Sequence, residues 1–388
     1  MFTSIYNKLR RITSNQLYFP EIDGIRFLAI ILVILFHAHG YFQAKTGMVY
    51  ADAGQYPMLD RLLANGDRGV ELFFVLSGFI LCLPFAKQYI AGEKKVQLKK
   101  YYLRRVTRLE PPYIITMTAL LLMQLAMHVH TAAVLVPSWL ASLVYMHGVL
   151  FHHTPLLTVV AWSLEIEIQF YILAPLLFRV LQVPVAGRRI LLTGAIAAMV
   201  WLQAAYPAQE GLLTLYGFVQ YFLMGILLAD LYVSDTLQQL MNKAWMTVVA
   251  VLSLVAIMML PIKEHPGHTI APDVLLVSRL VFPFAIGVFY YVVLKNDIMK
   301  KLFSFRFVPV LGGMCYSIYL LHYTIISVFG RFTTQWHIAG GYLPNMALQV
   351  VLLLVPVLLI SSVFYYYIER PFMSGKWMDM LLKKKKDQ

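Results

Sequence analysis

Asp23-Gly24-Ile25-Arg26-Phe27-Leu28-Ala29-Ile30-Ile31-Leu32-Val33-Ile34-Leu35-Phe36-His37-Ala38-His39 is the first strongly apolar stretch of the chain. It carries an arginine and a histidine eleven positions apart, with only apolar residues between them. A helix turns about 100° per residue, so Arg26 and His37 share one face, ~16.5 Å apart along the axis. If Arg26 stands at the edge of a hydrocarbon core ~30 Å thick, His37 lies just past the midplane. Ionisable groups at that depth are costly and mark candidate functional positions.

Composition agrees with a membrane setting. The 388 residues are 60% hydrophobic and 13% charged, and the mean hydropathy is +0.69. No ordinary soluble domain of this length has that balance. The 24 tyrosines, 24 phenylalanines and 6 tryptophans suit interfacial belts around many spans. Cys82 and Cys315 both fall in apolar segments and imply neither a disulfide framework nor a metal site.

Reading outward from the first span predicts an all-α polytopic bundle of about ten transmembrane helices. The expected spans are about 25–42, 68–86, 112–130, 161–180, 190–206, 212–232, 245–262, 274–294, 309–329 and 346–368. The apolar stretch 132–150 holds Pro137, His147 and Gly148 and reads as interfacial or re-entrant. With the N-terminus inside, 25 of the 32 lysines and arginines fall in cytoplasmic segments, which fixes both termini as cytoplasmic. External segments keep only Lys45, Arg61, Arg68, Lys263 and Arg331. Counting 132–150 as a crossing would put the Lys383–Lys386 run outside. The net charge of +13 therefore reports topology, not nucleic-acid binding. The first 23 residues lack a signal-peptide pattern, so the first span reads as an uncleaved anchor. Residues 1–388 read as one membrane domain, whose basic tail, 381–388, meets anionic lipid.

Polar residues inside the spans carry the chemistry. Lys94, Lys95, Lys99, Lys100, Arg104, Arg105 and Arg108 precede Pro111-Pro112. Topology alone accounts for most such clusters. Arg105 and Arg108, however, are three apart and so neighbours on a helix, and paired guanidinium forks suit phosphate. Glu71 lies near the external end of the second span, where Arg68 is a possible structural partner. Glu165 and Glu167 lie in the fourth span, ~200° apart, so they cannot face one partner. Gln169 shares the face of Glu165. In the ninth span, Cys315-Tyr316-Ser317-Ile318-Tyr319-Leu320-Leu321-His322 brings His322 to the depth of His37. Arg279 is placed to neutralise a buried glutamate. The external histidines, His128, His130, His147, His152 and His153, match no zinc spacing, so no metal is expected.

These features give an anion-binding inner rim, a midplane histidine and carboxylates toward the outside. The Arg26–His37 separation is comparable to an extended pantetheine arm, with phosphates at one end and a thioester at the other. A histidine so placed can take a proton from an attacking hydroxyl, worth ~10²–10⁴-fold, or carry the acyl group transiently. A neighbouring glutamate can hold its tautomer.

The ordered set of motifs resembles the acyltransferase-3 family of bacterial membrane proteins. It comprises Asp23-Gly24 with Arg26 and His37, Gly69-Val70-Glu71-Leu72-Phe73-Phe74-Val75-Leu76-Ser77-Gly78-Phe79, and Arg105 with Arg108. Trp162-Ser163-Leu164-Glu165, Phe170-Tyr171, Tyr316 through His322, and Glu369-Arg370-Pro371 complete it. The resemblance covers nearly the whole chain. It implies ten spans in a bacterial inner membrane, acyl-CoA (acetyl-CoA foremost) as donor, an envelope carbohydrate as acceptor, and Arg26 with His37 as the essential pair. One departure is that the family commonly has adjacent glutamates in the fourth span, whereas Ile166 separates Glu165 from Glu167 here. A proton-coupled transporter or flippase using the same His, Glu and Arg groups is the competing class. It leaves the paired arginines without a use.

Overall fold

The computed structural model describes residues 18–46, 57–209, 212–235, 238–241, 243–264, 269–336, 338 and 341–373. The expected basic tail, 381–388, lies outside them. Every regular element among the described residues is helical. The chain runs through α1 (Pro20–Thr46), α2 (Pro57–Ala64), α3 (Gly69–Ile90), α4 (Leu98–Ala126), α5 (Ala132–Leu143) and α6 (His147–Phe151). It continues with α7 (Trp162–Leu177), α8 (Val185–Ala205), α9 (Leu215–Ser234), α10 (Gln238–Met241), α11 (Trp245–Met259) and α12 (Pro272–Lys295). It closes with α13 (Asp297–Phe303), α14 (Val308–Gly313), α15 (Cys315–Thr333), α16 (Tyr342–Phe364) and, after a π turn at Tyr365–Glu369, α17 (Arg370–Met373).

Among the described residues seven helical segments are long and apolar enough to cross a membrane. They are α1, α2 joined to α3, α4, α8, α9, α12, and α16 with its extension. Three other expected spans form helices of a different character. α7 has 16 residues with Pro175 and two glutamates. α11 has only 15 residues, about 22 Å. α15 is 19 residues long but is diluted by tyrosines, Ser317, His322 and Arg331. The 12 residues of α5 extend only about 18 Å. The helix around the third expected span begins at Leu98, so Arg105 and Arg108 stand on α4 itself, ahead of its Pro111-Pro112 pair.

The first helix organises the rest. Ile25, Ala29 and Val33 belong to one apolar cluster, built mainly with α3, α7, α8, α9, α11 and α12. Ile30, Ile34 and Ala38 belong to a second, built with α4, α5, α7, α15 and α16. At 100° per residue those stripes flank the face that carries Arg26 and His37. The pair therefore points into the seam between two packed halves. Within the first half, α3 and α9 cross in the most extensive contact of the molecule. Gly78 meets the Phe222 carbonyl there, and Gly225 meets the backbone of Val75 and Phe79, so any side chain at either glycine would collide with main chain. Small residues at such crossings let helices approach without a hydrophobic driving force.

Candidate active site in the seam

Two cavities occupy the seam. The first, with an empty volume of about 940 Å³, is lined by α1, α3, α4, α7 and α15. Arg26, Arg105 and Arg108 all reach it, together with Ser77, Ser163, Glu167, Tyr171, Tyr316 and Tyr319. Three arginines from two distant stretches of sequence thus converge on one space. Asp23, buried one turn before Arg26, forms an ion pair with its guanidinium. Arg105 lies over the Tyr101 ring at 5.6 Å. Arg108 approaches Glu369 at 3.9 Å. The Nε atoms of Arg105 and Arg108 are buried without a hydrogen-bond partner. Unused buried donors of this kind ask for an acceptor, and a phosphate supplies several.

Glu369 also fixes the start of α15. Its Oε2 accepts from the Ser317 backbone N–H at 3.0 Å and from Ser317 Oγ at 2.5 Å. The residue is fully buried, on a π turn that swings its side chain toward α15 and α4. In the sequence Glu369 is only one part of a motif; its link to Arg108 appears once the last helix folds back on α4.

The second cavity, about 680 Å³, is lined by Phe36, His37, Gly40, Tyr41, Ala44, Lys45, Tyr323, Ile326, Ser327, Arg331 and Thr334. It is an open pocket between α1 and α15, with His37 among its deepest-set residues in sequence register. The His37 ring lies 5.2 Å from that of His322 and 5.1 Å from that of Tyr323. His322 is 0% exposed. Its Nδ1 faces the carbonyls of Tyr319 at 2.8 Å and Ile318 at 3.2 Å, so Nδ1 carries the proton and donates. In the neutral ring this leaves Nε2 as a lone pair, and Nε2 has no partner.

A thin partition separates the cavities. Tyr319 lines the arginine cavity and lies 5.7 Å, ring to ring, from His322. Its hydroxyl donates to the Val160 carbonyl at 2.6 Å, which leaves Ser163 Oγ to donate to the Tyr319 oxygen. Phe73 packs edge-on against the same tyrosine. A chain of three rings, Tyr319, His322 and His37, therefore leads from the arginine cavity to the histidine pocket.

The carboxylates separate by position. Glu167 lines the arginine cavity, where Ser77 Oγ donates to its Oε1 at 2.5 Å and the Tyr171 hydroxyl donates to the same oxygen. Glu165 turns away: its Oε2 accepts from the Gly148 backbone N–H at 2.9 Å, tying α7 to α6. Gln169, on the same side of α7, accepts from Leu215 N–H at 3.0 Å. Glu71 lines neither cavity. Its possible partner Arg68 donates instead to the Ile257 and Leu260 carbonyls, each at 2.5 Å. Arg279 donates to Ile262 O at 2.8 Å rather than to a glutamate. Among the described residues no group of histidines, cysteines or carboxylates is arranged to hold a metal. Sequence reading assigned no role to Ser77, Ser163, Tyr171 or Tyr319, although each falls within one of the quoted motifs, and Tyr171 stands at i, i+4 from Glu167.

Comparison with known proteins places this geometry. A family model described as an acyltransferase domain matches residues 19–366. The peptidoglycan O-acetyltransferase OatA of Listeria monocytogenes serovar 1/2a is 26% identical over 341 residues, covering 81% of this chain and 50% of that protein. The O-acetyltransferase OatA of Staphylococcus aureus strain MRSA252 is 23% identical over 419 residues, covering 100% of this chain and 62% of its own length. The chain thus spans about half to three fifths of the relatives it matches. No solved structure matches it significantly. The family match takes in α1 through α16, both cavities and the ring partition between them: the chain belongs to the acyltransferase-3 family.

Proposed function

We propose that this chain is a membrane O-acyltransferase that takes an acetyl group from cytoplasmic acetyl-CoA and gives it to a hydroxyl of an envelope carbohydrate outside. In this reading α7, α11 and α15 join the seven longer segments to make ten crossings of a bacterial inner membrane, with both ends cytoplasmic. The basic residues ahead of α4 then lie on the cytoplasmic side, in reach of the nucleotide phosphates. The observation that carries the proposal is the pair of neighbouring cavities, three arginines in one and His37 in the other, linked through the Tyr319 and His322 rings.

Arg26, Arg105 and Arg108 hold the donor's phosphates and direct its pantetheine arm toward Tyr319. Glu167, held by Ser77 and Tyr171, orients groups beside that arm. His37 accepts the proton of the carbohydrate hydroxyl as its oxygen attacks the thioester carbonyl. The C–S bond breaks, and the departing thiolate recovers the proton from the imidazolium, leaving an O-acetyl ester and free CoA. A transient acyl-histidine gives the same products in two steps.

The test is transfer of label from radiolabelled acetyl-CoA to a crude envelope-glycan extract by the purified protein, beside His37→Ala and Arg26→Ala. Label in the glycan with wild type, lost in both variants, supports the enzyme. Equal behaviour of His37→Ala and wild type, with no acyl-CoA binding, overturns it.

A further inference from the structure

The end of the molecule onto which the histidine pocket opens has few cations, and nearly all of them are used. Arg61 donates to Met259 O at 2.9 Å. Arg68 is spent on two carbonyls of the α11 end, and Arg279 on Ile262. Lys263 is paired with Asp67. Lys45 and Arg331 are different. Neither makes an ion pair or hydrogen bond among the described residues, and both line the pocket that contains His37. Among the described residues no carboxylate lines that pocket. The nearby Asp60 is engaged by His39 at 2.8 Å and Gln43 at 2.9 Å.

Register puts the two charges at one level. Lys45 follows His37 by eight residues on α1, about 12 Å along the axis. Arg331 follows His322 by nine on α15, about 13.5 Å. The two helices run side by side, and their histidine rings are in contact at the base. The pocket therefore has His37 at its base with His322 behind it, tyrosine and phenylalanine walls that suit sugar faces, and a lysine and arginine that pair with no carboxylate among the described residues.

We infer that the acceptor is an acidic glycan: Lys45 and Arg331 bind a carboxylate or phosphate carried about a disaccharide's length from the hydroxyl presented to His37. This rests on reading the pocket as the acceptor site, and it names the acceptor's charge. An exposed ion pair contributes modestly, so two together give about tenfold in affinity, weakened by salt.

The experiment compares binding of tetragalacturonate with its carboxyl-reduced neutral counterpart, and of a phosphorylated neutral tetrasaccharide, to the full chain in phosphatidylcholine nanodiscs. Wild type should prefer an anionic saccharide about tenfold at low salt. The Lys45→Gln/Arg331→Gln variant should lose the preference while its acetyl-CoA affinity stays as in wild type. Whichever of the carboxylate and phosphate probes binds tighter identifies the source of the charge. Equal or absent binding of charged and neutral saccharides to wild type overturns the inference, as does a preference that survives in the double variant. Loss of co-purified phosphatidylglycerol from the variant, measured before it enters the nanodiscs, with saccharide binding unmoved, assigns the cations to lipid headgroups and also overturns it. Glycan labelling that still depends on His37 would show that the acyltransferase reading stands even then.

Discussion

His37 and His322 touch, yet they are not equivalent. His322 is locked by its Nδ1 donation to backbone carbonyls and is sealed from both cavities' openings, whereas His37 borders the open pocket. His37→Ala is expected to lower acetyl transfer by ~10²–10⁴-fold. His322→Ala should reduce kcat while leaving the KM for acetyl-CoA near wild type, in a steady-state assay. A raised donor KM with unchanged kcat would contradict its placement beside His37. The two glutamates of α7 diverge in the same way. Glu165→Ala leaves the Gly148 N–H without an acceptor, a loss of ~1–3 kcal/mol that thermal unfolding should register with little change in donor KM. Glu167→Ala should instead raise donor KM. The sequence showed that these carboxylates face opposite ways, but not which way faces the cavity. The rotation of α7 is set by contacts with α3, α9 and α15, far away in sequence.

Helices act here as levers on those side chains. The α3–α9 crossing depends on backbone contact at Gly78 and Gly225. Gly78→Leu should force the helices apart, cost ~1–3 kcal/mol and shift the α3 residues that line the arginine cavity. Its checks are a lower unfolding midpoint and a weaker acetyl-CoA affinity; unchanged values for both would contradict the tight crossing. The end of α16 works on two elements at once, because Glu369 holds both the first turn of α15 and Arg108 of α4. Glu369→Gln keeps an acceptor for Ser317 but removes the charge facing Arg108, so donor KM should rise more than stability falls. Glu369→Ala should lose both. Helix positions were largely legible from hydropathy, since long apolar runs announce themselves. The polar helices α7 and α15 and the short α11 correspond to the spans expected at 161–180, 309–329 and 245–262, and each forms a helix, shorter or more polar than the seven long segments. The continuation of α4 through two prolines was not legible, because a double proline reads as a boundary unless neighbours support the freed carbonyls.

Over the whole molecule, the first helix presents one apolar stripe to each half and its Arg26–His37 face to the seam between them. The eleven-residue spacing foreshadowed only that Arg26 and His37 share a face, not that two packed halves flank it. The partition that Tyr319 and His322 build was not foreshadowed either, since it depends on how α15 docks against α1 and, through Tyr319, against Ser163 of α7. In the proposed reading, donor and acceptor come from opposite faces and meet across three rings. Sealed proteoliposomes of defined orientation test this directly, with radiolabelled acetyl-CoA on the face of the arginine cavity and envelope glycan on the face of the histidine pocket. The expected result is labelled glycan on the far side, free CoA retained on the near side, and neither with His37→Ala. Labelling only when glycan and acetyl-CoA share one face would contradict a transfer across the seam.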